Sequence, residues 1–168
     1  MEFTPVRRQD TDEVVAVLTA EEWPFHTEPR PTGDAVRARA EAGAFDHAFW
    51  VTDHTGRLGI VRLMDLDEGT PLFDLRVRSA ARGRGVGTAA VRWLTAHVFG
   101  SYPTNRIEGT TRQDNHAMRR TFAKAGYVKE AHYRDAWPGA DRVYDSVGYA
   151  ILRRDWESGT PTPVDWQG

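Results

Sequence analysis

Between two stretches of opposite periodicity lies the run Arg82-Gly83-Arg84-Gly85-Val86-Gly87. Before it, Leu72 to Val77 reads as a strand that follows the turn at Glu68-Gly69-Thr70-Pro71. After it, Val86, Ala90, Val91, Trp93, Leu94 and Val98 recur at helical spacing, and Gly100 closes the run. Strand, glycine-rich turn and helix in that order make an anion site. Small residues let the backbone close around oxygens, and the first amides of the helix point at the charge with the dipole behind them. Arg82 and Arg84 add candidate charge-assisted bonds. The plainer alternative is a turn that only lets strand and helix pack. The spacing is G-x-G-x-G, followed by Thr88. It is neither the dinucleotide fingerprint nor Walker A, which needs Gly-Lys-Ser/Thr.

The rest of the chain is read around that turn. Phe3 to Arg7 is expected as a strand, with Asp10 and Glu13 as a capping box for the helix through Val14, Val15, Val17 and Leu18. Trp23 to Pro31 is a proline-rich loop, and Thr32 caps a helix from Asp34 to Ala42 that stops at Gly43. Ala48 to Thr52 and Leu58 to Leu66 are strands around the turn Asp53-His54-Thr55-Gly56. Arg106 to Arg112 is a further strand. Asp114 or Asn115 caps a helix with an apolar face of Ala117, Met118, Thr121, Phe122 and Ala125, stopped by Gly126. Tyr127 to Tyr133 and Val143 to Leu152 form a last hairpin around Pro138-Gly139. The fold class is α/β (α+β): a mixed, mostly antiparallel sheet of about six to seven strands, helices on both faces, and one central β-α-β unit with a right-handed crossover.

Composition narrows the function. At 168 residues the chain fits one domain. Residues 1–156 are expected to form it, with 157–168 as a tail that Trp166 pins down. No apolar run approaches the length of a membrane helix, and the start of the chain lacks a secretory pattern. The net charge of −2 with no basic block gives nucleic acid no electrostatic footing. There is no cysteine, which excludes disulfides, thiol catalysis and cysteine-bound metal and fits a cytoplasmic protein. The six histidines lack H-x-x-x-H spacing, so no metal is expected. No G-x-S-x-G elbow is present, which argues against an α/β-hydrolase. Arginine supplies all but two of the 22 basic residues, read as codon bias of a GC-rich bacterial genome. His97, late in a helix, suits the dipole when protonated.

Arg82 to Gly87 resembles the Q/R-x-x-G-x-G/A motif of the GCN5-related N-acetyltransferases (GNAT). Asn115 to Tyr127 is similar to that family's N-x-x-(A/S)…K-x-G-(F/Y) helix. The element order agrees over roughly residues 3 to 152. The Asn115 helix, the last hairpin and the closing Arg153-Arg154-Asp155-Trp156 look most like the RimJ/RimL branch, which acetylates protein N-terminal amines and also includes enzymes for small amines and antibiotics.

The resemblance implies an acetyl-CoA-dependent N-acetyltransferase, in which a primary amine of a peptide or small molecule attacks the thioester directly. An aminoglycoside-type acetyltransferase and a non-catalytic CoA-binding sensor are the alternatives, and a homodimer is left open. By the same resemblance, Arg82, Gly83, Arg84, Gly85, Val86, Gly87 and Thr88 hold the pyrophosphate. Leu75, Arg76 and Val77 pair with the pantetheine arm, the Leu75 N–H faces the oxyanion, and Asn115 bonds the cofactor. Asn115 also reads as a plain N-cap. The family's tyrosine acid is replaced by Phe122 and the RimL-type serine by Met118, which leaves His116, Tyr127 or solvent as the donor. Asp74, in the strand that presents the thioester, is the expected base, with an Asp74–Arg76 ion pair as the alternative. The loop bearing Trp23, Phe25 and His26 is expected to wall the acceptor site, with Glu21 and Glu22 attracting a cationic amine. Its aromatics sealing the helices against the sheet is the other reading.

Overall fold

The computed structural model describes residues 1–167. The chain divides into two compact units. One comprises Met1–Met64 with Asp74–Val86; the other comprises Asp65–Phe73 and the chain from Gly87 onward.

In the first unit, strand β1 (Glu2–Pro5) leads through a 3-10 turn into helix α1 (Thr11–Thr19). Asp10 is not the capping-box residue expected of it. Its Oδ2 accepts from the Arg7 amide at 2.9 Å and from Trp50 Nε1 at 3.4 Å, while Glu13 turns outward to Arg57. The 3-10 turn places Asp10 to close its own loop, so the α1 amides get no bond from it. Val14, Val17 and Leu18 form the buried stripe of α1. Helix α2 (Gly33–Glu41) is capped as expected, the Thr32 hydroxyl accepting from the Ala35 amide at 3.2 Å, and Gly43 takes φ +81° beyond its end. Strands β2 (Ala48–Asp53) and β3 (Gly56–Met64) form the expected hairpin, with Asp53 opposite Gly56 and a bulge after Val51.

Strand β4 (Leu72–Val77), which straddles the division, completes a sheet ordered β1-β2-β3-β4. A Cβ on Gly59 would lie 2.2 Å from the Arg76 carbonyl oxygen, so only glycine lets β3 run this close to β4. Trp23, Trp50, Val36 and Ile60 join the α1 stripe in one apolar cluster.

In the second unit, helix α3 (Val86–Ser101) runs through Gly100 instead of stopping there. Strand β5 (Arg106–Arg112) pairs with β7 (Val143–Leu152), and β7 pairs with β6 (Val128–Pro138), both antiparallel. The strands therefore form two sheets, of four and of three, and with the helices they make the expected mixed, mostly antiparallel α/β class. Strand β6 extends past the expected Tyr133 despite its exposed polar residues. Asp145 of β7 holds it there, reaching His132 Nε2 at 2.7 Å and the Asp135 amide at 3.0 Å.

Helix α4 (His116–Lys124) precedes β6, and a short helix α5 (Arg153–Ser158), which the sequence reading missed, follows β7. The Arg153 guanidinium donates to the carbonyls of Phe99, Tyr102 and Thr104 at 2.7–2.8 Å, satisfying acceptors at and beyond the α3 terminus. Trp166 is 66 % exposed and does not pin the tail. Asp155 does so, through the Thr162 amide at 2.9 Å and its hydroxyl at 2.6 Å. His97 stacks on Trp93 at 5.0 Å, and burial lowers its pKa, so the protonated form expected from the dipole is disfavoured. No helix among the described residues is long and apolar enough to cross a membrane.

Candidate active site

The glycine turn owes its form to backbone conformation. Gly83 has φ +74° and Gly85 φ +81°, the left-handed region in which a Cβ is strained. A Cβ at either position would meet nothing within 4 Å, so the turn faces open space. Helix α3 begins at Val86, and its first amides lack intrahelical acceptors by the geometry of any helix start. Open glycines at a helix start suit an anion such as a pyrophosphate. The two arginines are already engaged. Arg82 donates to the Val77 carbonyl at 2.9 Å and to Glu21 Oε2 at 3.1 Å, and Arg84 lies 3.5 Å from Asp53. Glu21, which sequence reasoning gave to the acceptor, also accepts from the Ser79 amide at 2.8 Å and so braces the turn. Glu22 pairs with Arg30 at 2.8 Å.

Strand β4 carries Asp74 and Arg76 on one face and Leu75 and Val77 on the other. Asp74 Oδ1 lies 3.0 Å from His26 Nδ1, and its Oδ2 lies 3.4 Å from Arg76 Nε and 3.8 Å from Arg62 Nη2. Burial raises the pKa of this carboxyl. The hydrogen bond from His26 and the charges of His26, Arg76 and Arg62 outweigh burial and hold it well below the usual carboxylate range. An ionised carboxylate only accepts, so His26 donates through Nδ1, and in the neutral ring the Nε2 lone pair remains available. The ion pair weighed as the alternative for Asp74 is therefore present, and a histidine joins it.

His26 comes from the loop after α1, which is tied by Trp23 N–H to the Pro29 carbonyl (2.8 Å) and His26 N–H to the Trp23 carbonyl (3.0 Å). Trp23 takes the sealing place weighed as the other reading. It is 1 % exposed, its Nε1 donates to the Leu18 carbonyl at 2.8 Å, and the His26 ring meets it edge-on at 6.2 Å. Phe25 and His26 are half-buried.

The other expected residues belong to the second unit. Asn115 is the α4 N-cap. Its Oδ1 accepts from the Met118 amide at 3.1 Å and its Nδ2 donates to Thr111 Oγ1 at 2.9 Å. Phe122 is 1 % exposed and stacks on Tyr149 with ring centres 4.6 Å apart. Tyr127 is buried with its hydroxyl 3.0 Å from Thr95 Oγ1, and burial pushes its pKa up, against a proton-donor role. His116 is exposed at the start of α4.

Sequence reasoning missed Arg39, Arg62 and Phe45, which with Leu18, Ile60, Asp74 and Arg76 line a cavity of about 20 Å³ in the first unit. The signal for them in the sequence is the arginine excess, which codon bias also explains.

The family profile described as Acetyltransferase (GNAT) domain matches residues 1–128. The chain belongs to the GNAT acetyltransferases. The chain is 27 % identical over 101 residues to YdaF of Bacillus subtilis strain 168, a candidate ribosomal N-acetyltransferase. That stretch is 59 % of this chain and 55 % of the relative, so the match spans about half the relative's length. Among solved structures, it resembles a spermidine N-acetyltransferase SpeG chimera from Vibrio cholerae and hSSAT. The TM-score is 0.80 at 16 % identity, covering 94 % of this chain and 99 % of that one. It also resembles RimL, a ribosomal L7/L12 alpha-N-protein acetyltransferase in complex with coenzyme A. There the TM-score is 0.78 at 13 % identity, covering 89 % and 92 %. At such identities the solved structures establish the shared GNAT fold alone.

Proposed function

We propose that this GNAT chain is an acetyl-CoA-dependent N-acetyltransferase of the RimJ/RimL-like branch, acting on a primary amine of a peptide or small molecule. The observation that carries the reading is the pair of left-handed glycines, Gly83 and Gly85, opening onto free space at the start of α3. The similarity to YdaF supports the branch, the cysteine-free composition fits a cytoplasmic protein, and the arginine-rich composition fits a bacterial one. In this reading residues 1–156 form the catalytic domain and 157–168 a tail.

Acetyl-CoA would supply the acetyl thioester. Gly83, Gly85, Val86, Gly87 and Thr88 would hold its pyrophosphate through backbone amides. Arg82 and Arg84 sit beside them as cations already balanced by Glu21 and Asp53. Leu75, Arg76 and Val77 would align the pantetheine arm along β4. Asn115 would contribute the second lone pair of its Oδ1, the first being committed to the cap. The Leu75 N–H would donate to the thioester oxygen as charge builds there.

An amine attacks only when neutral. An α-amine with pKa about 7.7–8.0 is roughly a tenth neutral at pH 7, and a lysine-type amine with pKa about 10.4 is almost wholly protonated. We assign the base to His26 and not to Asp74. A carboxylate flanked by the Arg62 and Arg76 guanidinium groups and accepting from His26 Nδ1 is a poor proton acceptor, whereas the neutral His26 ring offers Nε2 while Asp74 fixes the tautomer. The departing thiolate needs no strong acid, consistent with Phe122 and Met118 in the donor positions.

Purified chain is tested for CoA release with a panel of amines and, separately, for acetyl-CoA binding by calorimetry. Release above background with any amine supports the transferase. Tight acetyl-CoA binding with no release across the panel favours the sensor reading, for which the loss of both usual donors is the specific argument.

A further inference from the structure

We propose that the arginine-lined cavity of the first unit binds a carboxylate carried by the acceptor, so that the amine substrate is an amino acid or an acidic-ended peptide and not a polyamine. The proposal rests on the transferase reading for the word acceptor, but the cavity stands on its own observations.

Three guanidinium groups, those of Arg39, Arg62 and Arg76, line one small cavity. Each has a buried nitrogen with no hydrogen-bond partner: Arg39 Nη2, Arg62 Nε and Arg76 Nη1. The Arg76 side chain is only 8 % exposed. Arginine does not deprotonate in proteins and offers donors alone, so these atoms can be satisfied only by acceptors. Nearby carboxylates are already in use. Asp74 divides its oxygens between His26, Arg76 and Arg62, and Glu28 takes Arg39 Nη1 at 2.9 Å. Three permanent cations thus face two carboxylates, with one buried nitrogen left unpartnered on each. A planar carboxylate, with two oxygens and about four lone-pair sites, is the anion that forked guanidinium groups hold best.

The cavity volume of about 20 Å³ suits a carboxylate or a water better than a tetrahedral phosphate. Ring contacts keep the guanidinium groups in place, Arg76 lying 5.6 Å from the Trp23 ring centre and Arg62 6.0 Å from that of Phe45. Asp74, which orients His26, belongs to the same lining. The anchor therefore adjoins the proposed base, where a molecule bearing both an amine and a carboxylate engages both. A polyamine brings only positive charge to a place with unpaired cations.

The test uses the full chain and two readouts. Calorimetry without acetyl-CoA measures binding of free amino acids, of a short peptide with an acidic second residue, of the amide of each, and of spermidine. CoA release measures turnover of the same compounds. The expected result is that masking the carboxylate weakens binding and kcat/KM by about ten- to a hundredfold, the scale of losing charge-assisted hydrogen bonds. This acid–amide difference should collapse in Arg39→Met and Arg62→Met. If either variant fails to fold, Arg39→Lys and Arg62→Lys keep the charge without the fork and should shrink the difference. The free acid and peptide arms tell the two carboxylate sources apart. Acid binding without CoA release would support the cavity and overturn the transferase reading. Amides or spermidine accepted as well as the acids would overturn the cavity, as would an acid–amide difference that survives the substitutions. A cavity that holds only water gives the first of these overturning results.

Discussion

His26 Nδ1 sits 3.0 Å from Asp74 Oδ1, joining a loop residue to a strand residue through a carboxylate that stays ionised far into the acid range. If His26 is the base, His26→Gln lowers kcat by roughly 10²–10⁴-fold, the usual scale for losing general-base catalysis. Acetyl-CoA affinity should stay within a few-fold, because no part of the glycine turn is touched. Steady-state kinetics beside calorimetry checks this, and a His26→Gln enzyme with normal kcat at pH 7 excludes the role.

Asp74 also contributes to stability with a defined pH dependence. Its folded-state pKa lies below its unfolded value of about 3.9. The stabilisation is therefore complete above about pH 5 and disappears as pH falls through the folded value. Asp74→Asn should cost about 1–3 kcal/mol at neutral pH, as guanidinium donors lose their acceptor. The difference in Tm between the two proteins should narrow as the pH falls below about 4. A difference that grows below about pH 4 contradicts the assignment.

Trp23 is a core residue, with its indole N–H satisfied by the Leu18 carbonyl. Trp23→Ala should lose about 3–5 kcal/mol, typical of emptying a tryptophan site. Denaturant unfolding measures the loss. A raised acceptor KM with unchanged stability would instead restore the wall reading.

Gly85 is held at φ +81°, so Gly85→Val pays for its side chain twice. The strained backbone costs about 1–2 kcal/mol, and the side chain fills the space left for phosphate. The folded variant should show no acetyl-CoA binding by calorimetry. Wild-type affinity in a folded Gly85→Val protein would remove the phosphate site from this turn.

Phe122 is buried in an aromatic cluster, and the space around it is already taken. A Cβ on Gly109 would come within 2.6 Å of Phe122 Cζ and 3.1 Å of Phe73 Cε1. Gly109→Ala should therefore destabilise by about 1–3 kcal/mol through overpacking, read by thermal melting. An unchanged Tm would mean that the aromatic cluster yields at little cost.

Much of this was legible in the sequence because it depends on local signals. The Thr32 and Asn115 caps, the Asp53–Gly56 hairpin and the bounds of β4, β5 and β7 follow from neighbours a few residues apart. What was not legible depends on pairs distant in the chain. Asp10 signals a capping box, but Trp50 and the Arg7 amide reach it first. Glu21 and Trp23 look like loop residues with chemistry to offer, yet one braces the glycine turn and the other fills the core. Arg39, Arg62 and Arg76 carry no spacing pattern, because they come from a helix and two strands and meet only in the fold.

Gly59 has a bearing on attempts to move this chemistry elsewhere. Because β3 lies against the Arg76 carbonyl where a Cβ would stand 2.2 Å away, the depth at which the Arg76 side chain sits depends on an atom that is missing from the neighbouring strand. A designer who copies Asp74, Arg76 and Arg62 into another sheet, but leaves an ordinary residue opposite, forces those strands apart and changes the aim of every guanidinium. The transferable unit is the three side chains together with the bare backbone beside them.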